Sequence, residues 1–390
     1  MGGTIPAMTA PAERAQAARS SPQSRTGSPL HEVTSLVVEP FLHVGDSRVA
    51  SPLTGREIAA GEPGFTELLA LLQGSAELGA LPSGSVRLLL DGGWLVESSP
   101  RLDTRFHLKY VSLESHTACN QSCYFCPVSI APRDDHFMPT ELYRSIVDQL
   151  ASYRATIEAV FMISYNEPTL DKRFVDLVGV LRAAGLPPAV LTNGTGLPPP
   201  RVDALLEMGG LRYLSINLST LDRERYARDR GGDHLDLVLR NLAYMKELPL
   251  AEEMAIVVLG QGDDVHRRDF EEIRARFAGS RFTVNFHEVM DRAGYLQVGL
   301  KASGAGKRLR GCENIGSRPL QHLHVTPHGK AVFCCEDYDE YHVIGDLRSE
   351  TVAEVLAGAE IAKLRRWSYG LEEAPADFIC RKCVFARLEA

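Results

Sequence analysis

Six short apolar segments alternate with helical segments between residues 106 and 300, and this alternation constrains the fold more than any other feature. The strand candidates are residues 110–113, 159–163, 189–192, 213–217, 255–259 and 282–286. Strands that alternate with helices pair in parallel through right-handed crossovers. Six units are too few for a closed barrel of eight. The pattern therefore predicts an α/β fold with a partial (β/α)6 barrel, whose functional side chains lie at the carboxyl ends of the strands.

Composition divides the chain into four regions. Residues 1–30 are rich in Ala, Ser, Pro and Thr and lack an apolar stretch, which predicts a disordered tail and not a secretory signal. Residues 31–105 carry short strands and helices, among them a helix end, a tight glycine turn and a strand at 88–96, that predict a small domain of winged-helix size. Residues 106–300 are the predicted barrel. Residues 301–390 are a cysteine-bearing C-terminal domain, in which a hairpin-like stretch is expected around 327–330 and a helix at about 351–367.

The charge and hydropathy of the chain argue against two classes of partner. The formal net charge is −8 and no dense basic patch appears, so nucleic acid is not an expected partner. No run of about 18 apolar residues is present, so no membrane association is expected. Together with the lack of an export signal, these features predict a cytoplasmic protein.

The eight cysteines fall into two groups, and none lies in the first 118 residues. A secreted disulfide scaffold spreads its cysteines through a short chain, whereas this chain is long. Thiolates clustered in an intracellular protein usually bind metal. Isolated buried thiols are the alternative for any one cysteine, but two clusters favour two metal sites.

The first group is Cys119, Cys123 and Cys126, which follows the first predicted strand with the spacing C-x3-C-x2-C. Three thiolates can hold three irons of a [4Fe–4S] cluster and leave the fourth iron open. An open iron can take a ligand that offers an amine and a carboxylate, such as the methionine end of S-adenosylmethionine (AdoMet). Zinc is the chemical rival, but a structural zinc site normally has four protein ligands.

This loop resembles the cluster motif of the radical AdoMet superfamily, C-x3-C-x-aromatic-C. The resemblance implies that AdoMet bound to the open iron is split by one electron into a 5′-deoxyadenosyl radical. It also implies an electron donor of the flavodoxin or ferredoxin type. Phe125 is the motif aromatic, and the resemblance places it near the adenine; ordinary loop packing is the alternative.

Polar residues after later strands resemble further AdoMet contacts of the same family. Residues 164–168 resemble the family's G-G-E-P segment, in which Glu167 would meet the AdoMet ammonium, although Tyr165 and Asn166 replace the glycines. Three further segments resemble the family: T-N-G at 192–194, the end of the fourth predicted strand, and R-G at 230–231. They give four more candidates for AdoMet contacts: Asn193, Asn217, Ser219 and Arg230. A helix N-cap turn is the alternative for Glu167, and surface turn chemistry is the alternative for the other four residues.

The second cysteine group resembles the auxiliary-cluster domains called SPASM and, in shorter form, twitch. Its predicted metal ligands are Cys312, Cys334, Cys380 and Cys383. The full SPASM pattern needs more cysteines, so the resemblance implies one auxiliary [4Fe–4S] cluster. Four ligands leave no open iron, which suits electron transfer. A structural zinc on the same thiolates is the rival.

Cys335 is left over from this group. It is a passive neighbour, a ligand in place of Cys334, or a hydrogen-atom donor as in radical epimerases. Polar residues at and after the last predicted strand, Glu288, Asp291 and Arg292, are candidates to face the substrate, with ordinary strand-end polarity as the alternative.

Residues 40–97 resemble the winged-helix peptide-recognition domain of maturases that act on ribosomally made peptides. Such domains bind a leader peptide as an extra strand at a sheet edge; a purely structural appendage is the alternative.

Three functional hypotheses follow from these resemblances. The first is oxidation, cross-linking or epimerisation of a precursor peptide, and the second is dehydrogenation or epimerisation of a small aminocyclitol or sugar intermediate. The third is a metal-stabilised binding module without catalysis, which predicts no AdoMet cleavage.

Overall fold

The computed structural model describes residues 35–302 and 306–389. The predicted disordered tail, residues 1–30, lies outside these ranges. Contacts divide the chain into two compact units, one ending at Leu102 and the other beginning at Asp103. Each unit has its own hydrophobic core and is described by itself.

The first unit combines two small antiparallel sheets with two helices. Its elements, in chain order, are β1 (Leu36–Val38), β2 (His43–Val44), β3 (Arg48–Ala50), β4 (Glu57–Ala59), α1 (Phe65–Leu72), α2 (Ser83–Asp91) and β5 (Leu95–Glu97). Strands β2, β3 and β4 form one sheet in that order, and β1 pairs with β5. The predicted helix end, glycine turn and strand at 88–96 are present. Gly93 has a φ of 75°, a left-handed conformation that ends the helix.

The core of the first unit depends on the spacing of leucines along its helices. Leu68 of α1 and Leu89 of α2 are fully buried, and Trp94 packs beside them. Leu90, the next residue of α2, is 38% exposed because helical geometry turns it away from that core. Adjacent leucines on one short helix therefore lie in opposite environments.

Replacing Leu89 with Ala should destabilise the first unit by about 2–5 kcal/mol, because it leaves a cavity among buried side chains. Leu90→Ala should change the free energy of unfolding by less than about 0.5 kcal/mol. Denaturant unfolding monitored by Trp94 fluorescence measures both variants. Equal losses in the two variants would contradict this core.

The second unit begins with six parallel strands. They are β6 (Tyr110–Leu113), β7 (Ala159–Phe161), β8 (Pro188–Thr192), β9 (Leu211–Asn217), β10 (Ala251–Gly260) and β11 (Phe282–Glu288). Each strand pairs in parallel with the next one along the chain. The predicted partial barrel is therefore confirmed, although β7 is two residues shorter than predicted.

Helices connect these strands and cover one face of the sheet. They are α3 (Thr140–Leu150), α4 (Phe174–Ala183), α5 (Pro199–Glu207), α6 (Arg223–Arg230), α7 (Leu235–Met245) and α8 (Asp264–Arg276). Val111 and Leu113 belong to the same buried core as Ile146 and Val147 of α3. Side chains alternate along a strand, so Tyr110 and Ser112 lie on the other face. No helix in residues 35–302 and 306–389 is long and apolar enough to cross a bilayer.

The C-terminal segment extends the same sheet. Its elements are β12 (Leu309–Cys312), α9 (Arg318–Gln321), β13 (His322–Val325), β14 (Lys330–Val332), β15 (Val343–Asp346), α10 (Val352–Leu356), α11 (Ala359–Ser368) and β16 (Ala386–Leu388). Strand β13 pairs in parallel with β6, and β14 and β15 follow antiparallel, which makes a nine-stranded sheet. Strands β12 and β16 form a separate pair. The cysteine-bearing segment is thus continuous with the barrel.

One predicted helix of this segment is divided into two. Residues 351–367 were expected to form one helix, but α10 ends at Leu356 and α11 begins at Ala359. Gly358 between them has an extended ψ of 158°, which breaks the helical hydrogen-bond pattern. Thr351 starts α10 with a capping box, in which its side chain and that of Glu354 each bond the other's backbone N–H. The expected hairpin near residue 328 is present as the β13–β14 turn.

Candidate functional site

The three cysteines of the first group lie in the loop after β6, at the carboxyl end of the parallel sheet. None of them forms a disulfide. Burial raises the pKa of the Cys119 thiol to about 12, and the charges of Cys123 and Cys126 add to this shift. Burial likewise raises the pKa of Cys126. Thiols with raised pKa values are a poor thiolate site by themselves, and a bound iron cluster would supply the positive charge that thiolates need.

The end of α6 fixes this loop. The Ser122 backbone N–H donates to the Arg230 carbonyl at 3.0 Å, and the Tyr124 N–H donates to the Asp229 carbonyl at 3.1 Å. Gly231 follows with a φ of 69°, and a Cβ on it would lie 1.9 Å from the Ser122 hydroxyl oxygen. The glycine of the predicted R-G step therefore allows the close contact between helix and loop.

Arg230 brings four predicted site residues together. It is 1% exposed, and its Nη2 donates to Asn217 Oδ1 at 2.8 Å and to Ser219 Oγ at 2.6 Å. Its guanidinium carbon lies 5.1 Å from the centre of the Phe125 ring, and its Nη1 lies 3.9 Å from Cys123 Sγ. Its Nε is buried and has no partner among the described residues. A buried donor beside the cysteines fits an anionic group such as the carboxylate of AdoMet.

Asn193 and Glu167 connect the ends of β7 and β8 to the cysteine loop. Asn193 Nδ2 donates to Asn120 Oδ1 at 2.8 Å, and its backbone N–H donates to Glu167 Oε2 at 2.7 Å. Glu167 Oε1 accepts from the Thr192 and Thr169 hydroxyls. Burial raises the pKa of Glu167, although hydrogen bonds oppose the shift. The structure gives this carboxylate a positioning role, and its contact with the AdoMet ammonium stays a prediction.

Sequence reasoning missed an ion pair under the loop. Glu114, the residue after β6, accepts two hydrogen bonds from Arg133 at 2.7 and 2.8 Å and one from the Tyr165 N–H at 2.8 Å. Arg133 also donates to the Thr117 carbonyl at 3.2 Å. Tyr165 replaces a family glycine, and its hydroxyl donates to the Cys335 carbonyl. Glu114 could have been identified from the sequence because it follows the first predicted strand. No local pattern in the sequence marks Arg133 as its partner.

The second cysteine group lines one pocket. The residues around it are Cys312, Cys334, Cys380, Cys383, Arg318, Pro319, Phe333, Glu336, Ile379 and Ala386. The four predicted ligands are thus together, which fits a cluster held by four thiolates. Burial raises the pKa of Cys312 and raises that of Cys380 to about 12, so these thiolates also need a bound cation.

Cys335 does not line this pocket; its side chain contacts Arg318 and Glu336 instead. Burial raises the pKa of Tyr165 well above its ordinary value, and the charges of Glu336, Cys335 and Cys126 also raise it. Tyr165 therefore lies between the segment that carries Cys335, through its hydroxyl, and Glu114 before the first cysteine group, through its backbone N–H. Arg292, with a φ of 54°, reaches the same place and lies 3.4 Å from Glu336 Oε1.

Three thiols lie in a loop at the mouth of a partial barrel and four more line a second pocket, which is the arrangement expected of radical AdoMet iron–sulfur sites. A family model described as the radical SAM superfamily matches residues 113–275, and one described as an iron-sulfur cluster-binding domain, SPASM, matches residues 312–384. The chain therefore contains a radical SAM domain and a C-terminal SPASM domain. These domains imply AdoMet, a catalytic [4Fe–4S] cluster and auxiliary iron–sulfur binding.

Curated relatives share the central part of the chain. A probable GTP 3′,8-cyclase of Pyrococcus abyssi is 31% identical over 147 residues, which are 37% of this chain and 46% of that protein. An S-adenosyl-L-methionine-dependent 2-deoxy-scyllo-inosamine dehydrogenase of Niallia circulans is 28% identical over 149 residues, which are 34% of this chain and 58% of that protein. The chain thus spans about half the length of the curated relatives it matches.

Solved structures share the fold over a longer range. Streptococcus suis SuiB bound to precursor peptide SuiA has a TM-score of 0.54 at 12% identity, covering 85% of this chain and 88% of that one. Native anSMEcpe with bound AdoMet has a TM-score of 0.52 at 14% identity, covering 67% of this chain and 84% of that one. At these identities the similarity shows the fold.

Replacing Gly231 with Ala should displace the cysteine loop, because the new methyl group overlaps the Ser122 side chain. We expect anaerobically reconstituted Gly231→Ala to lose about half of its iron, since the second cysteine group is untouched. Iron per chain and 5′-deoxyadenosine formation measure the effect. Gly279→Ala is the matched control, because Gly279 has a similar φ of 77° but nothing within 4 Å of the added Cβ. Equal iron loss in both variants would show that backbone strain alone is responsible.

Proposed function

We propose that this radical SAM enzyme modifies a ribosomally made precursor peptide by abstracting a hydrogen atom from one of its residues. The observation that carries the proposal is a groove in the first unit, beside β4. Residues from β4 and α2 line it together with the segments that follow them: Arg56, Glu57, Ile58, Glu62, Pro63, Leu88, Leu89, Asp91, Gly92 and Trp94.

The groove has the shape and chemistry that a peptide strand requires. Strand β4 pairs with β3 on one side only, and on its other edge Glu57 presents its backbone for hydrogen bonds. The backbone of Ala59 on that edge is already occupied, since its N–H donates to Glu62 Oε2 at 2.7 Å and its carbonyl accepts from the Glu62 N–H at 3.0 Å. Leu88, which is 44% exposed, offers an apolar contact on the opposite wall. Arg56 is held there by a 2.8 Å hydrogen bond from its Nη1 to the Asp91 carbonyl. The groove therefore offers both apolar and charged contacts, which suits an extended peptide with side chains of both kinds.

The range of the structural similarity supports the same proposal. The alignment to SuiB, a protein solved with its precursor peptide, covers 85% of this chain. That is more than the second unit alone contains, so part of the first unit is included.

The residues of the barrel position the reactants. AdoMet supplies the 5′-deoxyadenosyl radical when an electron reaches its cluster, and a flavodoxin or ferredoxin would deliver that electron. Arg230, held by Asn217 and Ser219, would bind the AdoMet carboxylate. Tyr165 connects Glu114, after β6, with the Cys335 carbonyl, and Arg292 Nη1 lies 3.4 Å from Glu336 Oε1. These two side chains would line the space in which the substrate meets the radical.

The aminocyclitol or sugar reading is the main alternative. It is supported by the Niallia circulans dehydrogenase, whose match covers 34% of this chain. A short open reading frame beside the gene favours the peptide, and aminocyclitol or sugar genes favour the small molecule. The test is anaerobic reconstitution with iron and sulfide, followed by incubation with AdoMet, reductant and the synthetic peptide that this reading frame encodes. Peptide-dependent 5′-deoxyadenosine with a mass change in the peptide is expected; neither product would refute the proposal.

Replacing Leu88 with Asp should weaken peptide binding at least about tenfold, because a charged group then faces the apolar part of the bound strand. Leu90→Asp is the control, since Leu90 lies on the same helix with similar exposure, 38%, but outside the groove. Fluorescence anisotropy with the labelled precursor peptide measures both. Unchanged affinity in Leu88→Asp, with the Leu90 control also unchanged, would remove the groove from the proposal.

Epimerisation through Cys335 is the second candidate for the outcome of the reaction. The position of Cys335 favours it, because its thiol lies outside the auxiliary pocket and its backbone carbonyl accepts a hydrogen bond from the hydroxyl of Tyr165. A thiol at this place could return a hydrogen atom to a substrate radical. The thiyl radical left on Cys335 would then regain one electron, delivered through the auxiliary cluster from the external donor, and one proton from solvent. Epimerisation therefore needs no external electron acceptor, in contrast to dehydrogenation.

A Cys335→Ala variant distinguishes the two outcomes. If Cys335 is the donor, AdoMet cleavage continues while the epimerised product disappears and a substrate radical persists in electron paramagnetic resonance (EPR) spectra. In D2O the wild type would then place one deuterium in the product. Cys335→Ser, which keeps the size but not the weak S–H bond, should behave like the alanine variant. Full turnover in both variants would exclude the donor role.

A further inference from the structure

We infer that Arg318 and Glu336 set the reduction potential of the auxiliary cluster in opposite directions, Arg318 raising it and Glu336 lowering it. The inference rests on the proposed assignment of Cys312, Cys334, Cys380 and Cys383 as cluster ligands. It concerns positioning residues of the second pocket, and it holds whether the substrate is a peptide or a small molecule.

Arg318 lies against the predicted ligands. It begins α9, its side chain is 8% exposed, and its Nη1 lies 3.9 Å from Cys334 Sγ and also contacts Cys335 Sγ. Its Nε is buried without a partner in the described part of the chain. A guanidinium that cannot reach water keeps its charge and its N–H donors directed at sulfur. Positive charge and N–H···S hydrogen bonds both favour the reduced cluster, which carries one more electron.

Glu336 opposes this effect from the same pocket. Its side chain is 4% exposed, and its Oε1 lies 4.0 Å from Arg318 Nη1 and 3.4 Å from Arg292 Nη1. Among the described residues that line the pocket, Arg318 is the one cationic side chain and Glu336 the one carboxylate. Charges this close in a poorly hydrated interior act strongly on one another and on the cluster.

The pair also separates the two adjacent thiols. Arg318 Nη1 lies between Cys334 and Cys335, and Glu336 Oε1 lies 3.8 Å from Cys335 Sγ. Arg318 and Glu336 line the pocket and contact Cys335, whose own side chain lies outside it, whereas Cys334 lines the pocket. The same two residues thus define which thiol is available to iron and how readily the bound iron takes an electron.

The potential matters because dehydrogenation releases an electron. After hydrogen abstraction, the substrate radical loses one electron and one proton to reach the oxidised product. An auxiliary cluster of higher potential accepts that electron more readily and passes it to an oxidised flavodoxin or ferredoxin, while the proton is released to solvent. Arg318 raises the reduction potential and so would make the cluster a better electron acceptor. Glu336 lowers the potential and so would help the reduced cluster to pass the electron on.

The test uses the full chain with Cys119, Cys123 and Cys126 replaced by Ala, so that the remaining iron belongs to the second group. After anaerobic reconstitution, redox titration monitored by EPR gives the midpoint potential. We expect Arg318→Gln to lower it, Glu336→Gln to raise it and Arg318→Lys to lie between wild type and Arg318→Gln. Arg348→Gln, which removes an exposed guanidinium paired with Asp346, is the control and should leave it unchanged.

Several results would overturn the inference. Equal midpoint potentials in Arg318→Gln, Glu336→Gln and the parent protein, at full iron content, would show that the pair does not act on the cluster. If Arg318→Gln loses its iron, Glu336→Gln still tests the inference, because an unchanged potential in that variant contradicts it. A parent protein that binds zinc and no iron refutes the inference by removing the cluster. Peptide binding to the first unit is measured separately, so a failure of the proposed function is distinguishable from all these results.

Discussion

The parallel pairing of β13 with β6 is the interaction on which the rest of the second unit depends. His322–Val325 lies in register with Tyr110–Leu113, so the strand that precedes the cysteine loop is also the strand that carries the C-terminal segment. Because β6 pairs with β7 on one side and β13 on the other, the loop with the first cysteine group and the segment after β14 with Cys334 and Cys335 start from strands of one sheet. Cys312, Cys380 and Cys383 lie outside that sheet and reach the second pocket from β12 and the segment before β16.

Buried charges are concentrated around this joint. Glu114 and Arg133 form an ion pair whose carboxylate is 1% exposed, and Arg230 is buried beside the first cysteine group. Buried ions are costly unless they are paired and hydrogen-bonded. Here the charges are paired with one another, with polar side chains or with the cysteine groups. The arrangement is better explained by the need to position charged cofactors than by a gain in stability.

Much of the fold could be predicted because its signals are local. The apolar run Tyr110–Leu113 is bounded by polar residues and was located to the residue, and the cysteine spacing identified the loop after it. Gly358 is one small residue in a favourable helical pattern, and its extended backbone was not apparent from sequence. The β13–β6 pairing joins segments about 200 residues apart and has no local signature.

The residues of the candidate site divide in the same way, into those with a local sequence signal and those that depend on a distant partner. Phe125, Asn217, Ser219 and Arg230 were predicted by resemblance, and the structure brings them together around one guanidinium. Arg133, Arg318 and Glu336 were missed, because each acquires its meaning from a partner supplied by a different loop. Side chains that neutralise a cofactor are identifiable only when the fold has placed them beside it.

The tyrosine at position 165 has a consequence for the order of assembly. Its backbone is bonded to Glu114 below the first cysteine group, and its hydroxyl is bonded to the Cys335 carbonyl beside the second. The shape of the barrel mouth therefore depends on the backbone segment that carries Cys334, a predicted ligand of the auxiliary cluster. If Cys334 ligates that cluster, a chain that acquires its auxiliary iron late would carry an unfinished first site until then, and cluster insertion at the C-terminal end would precede competence at the barrel.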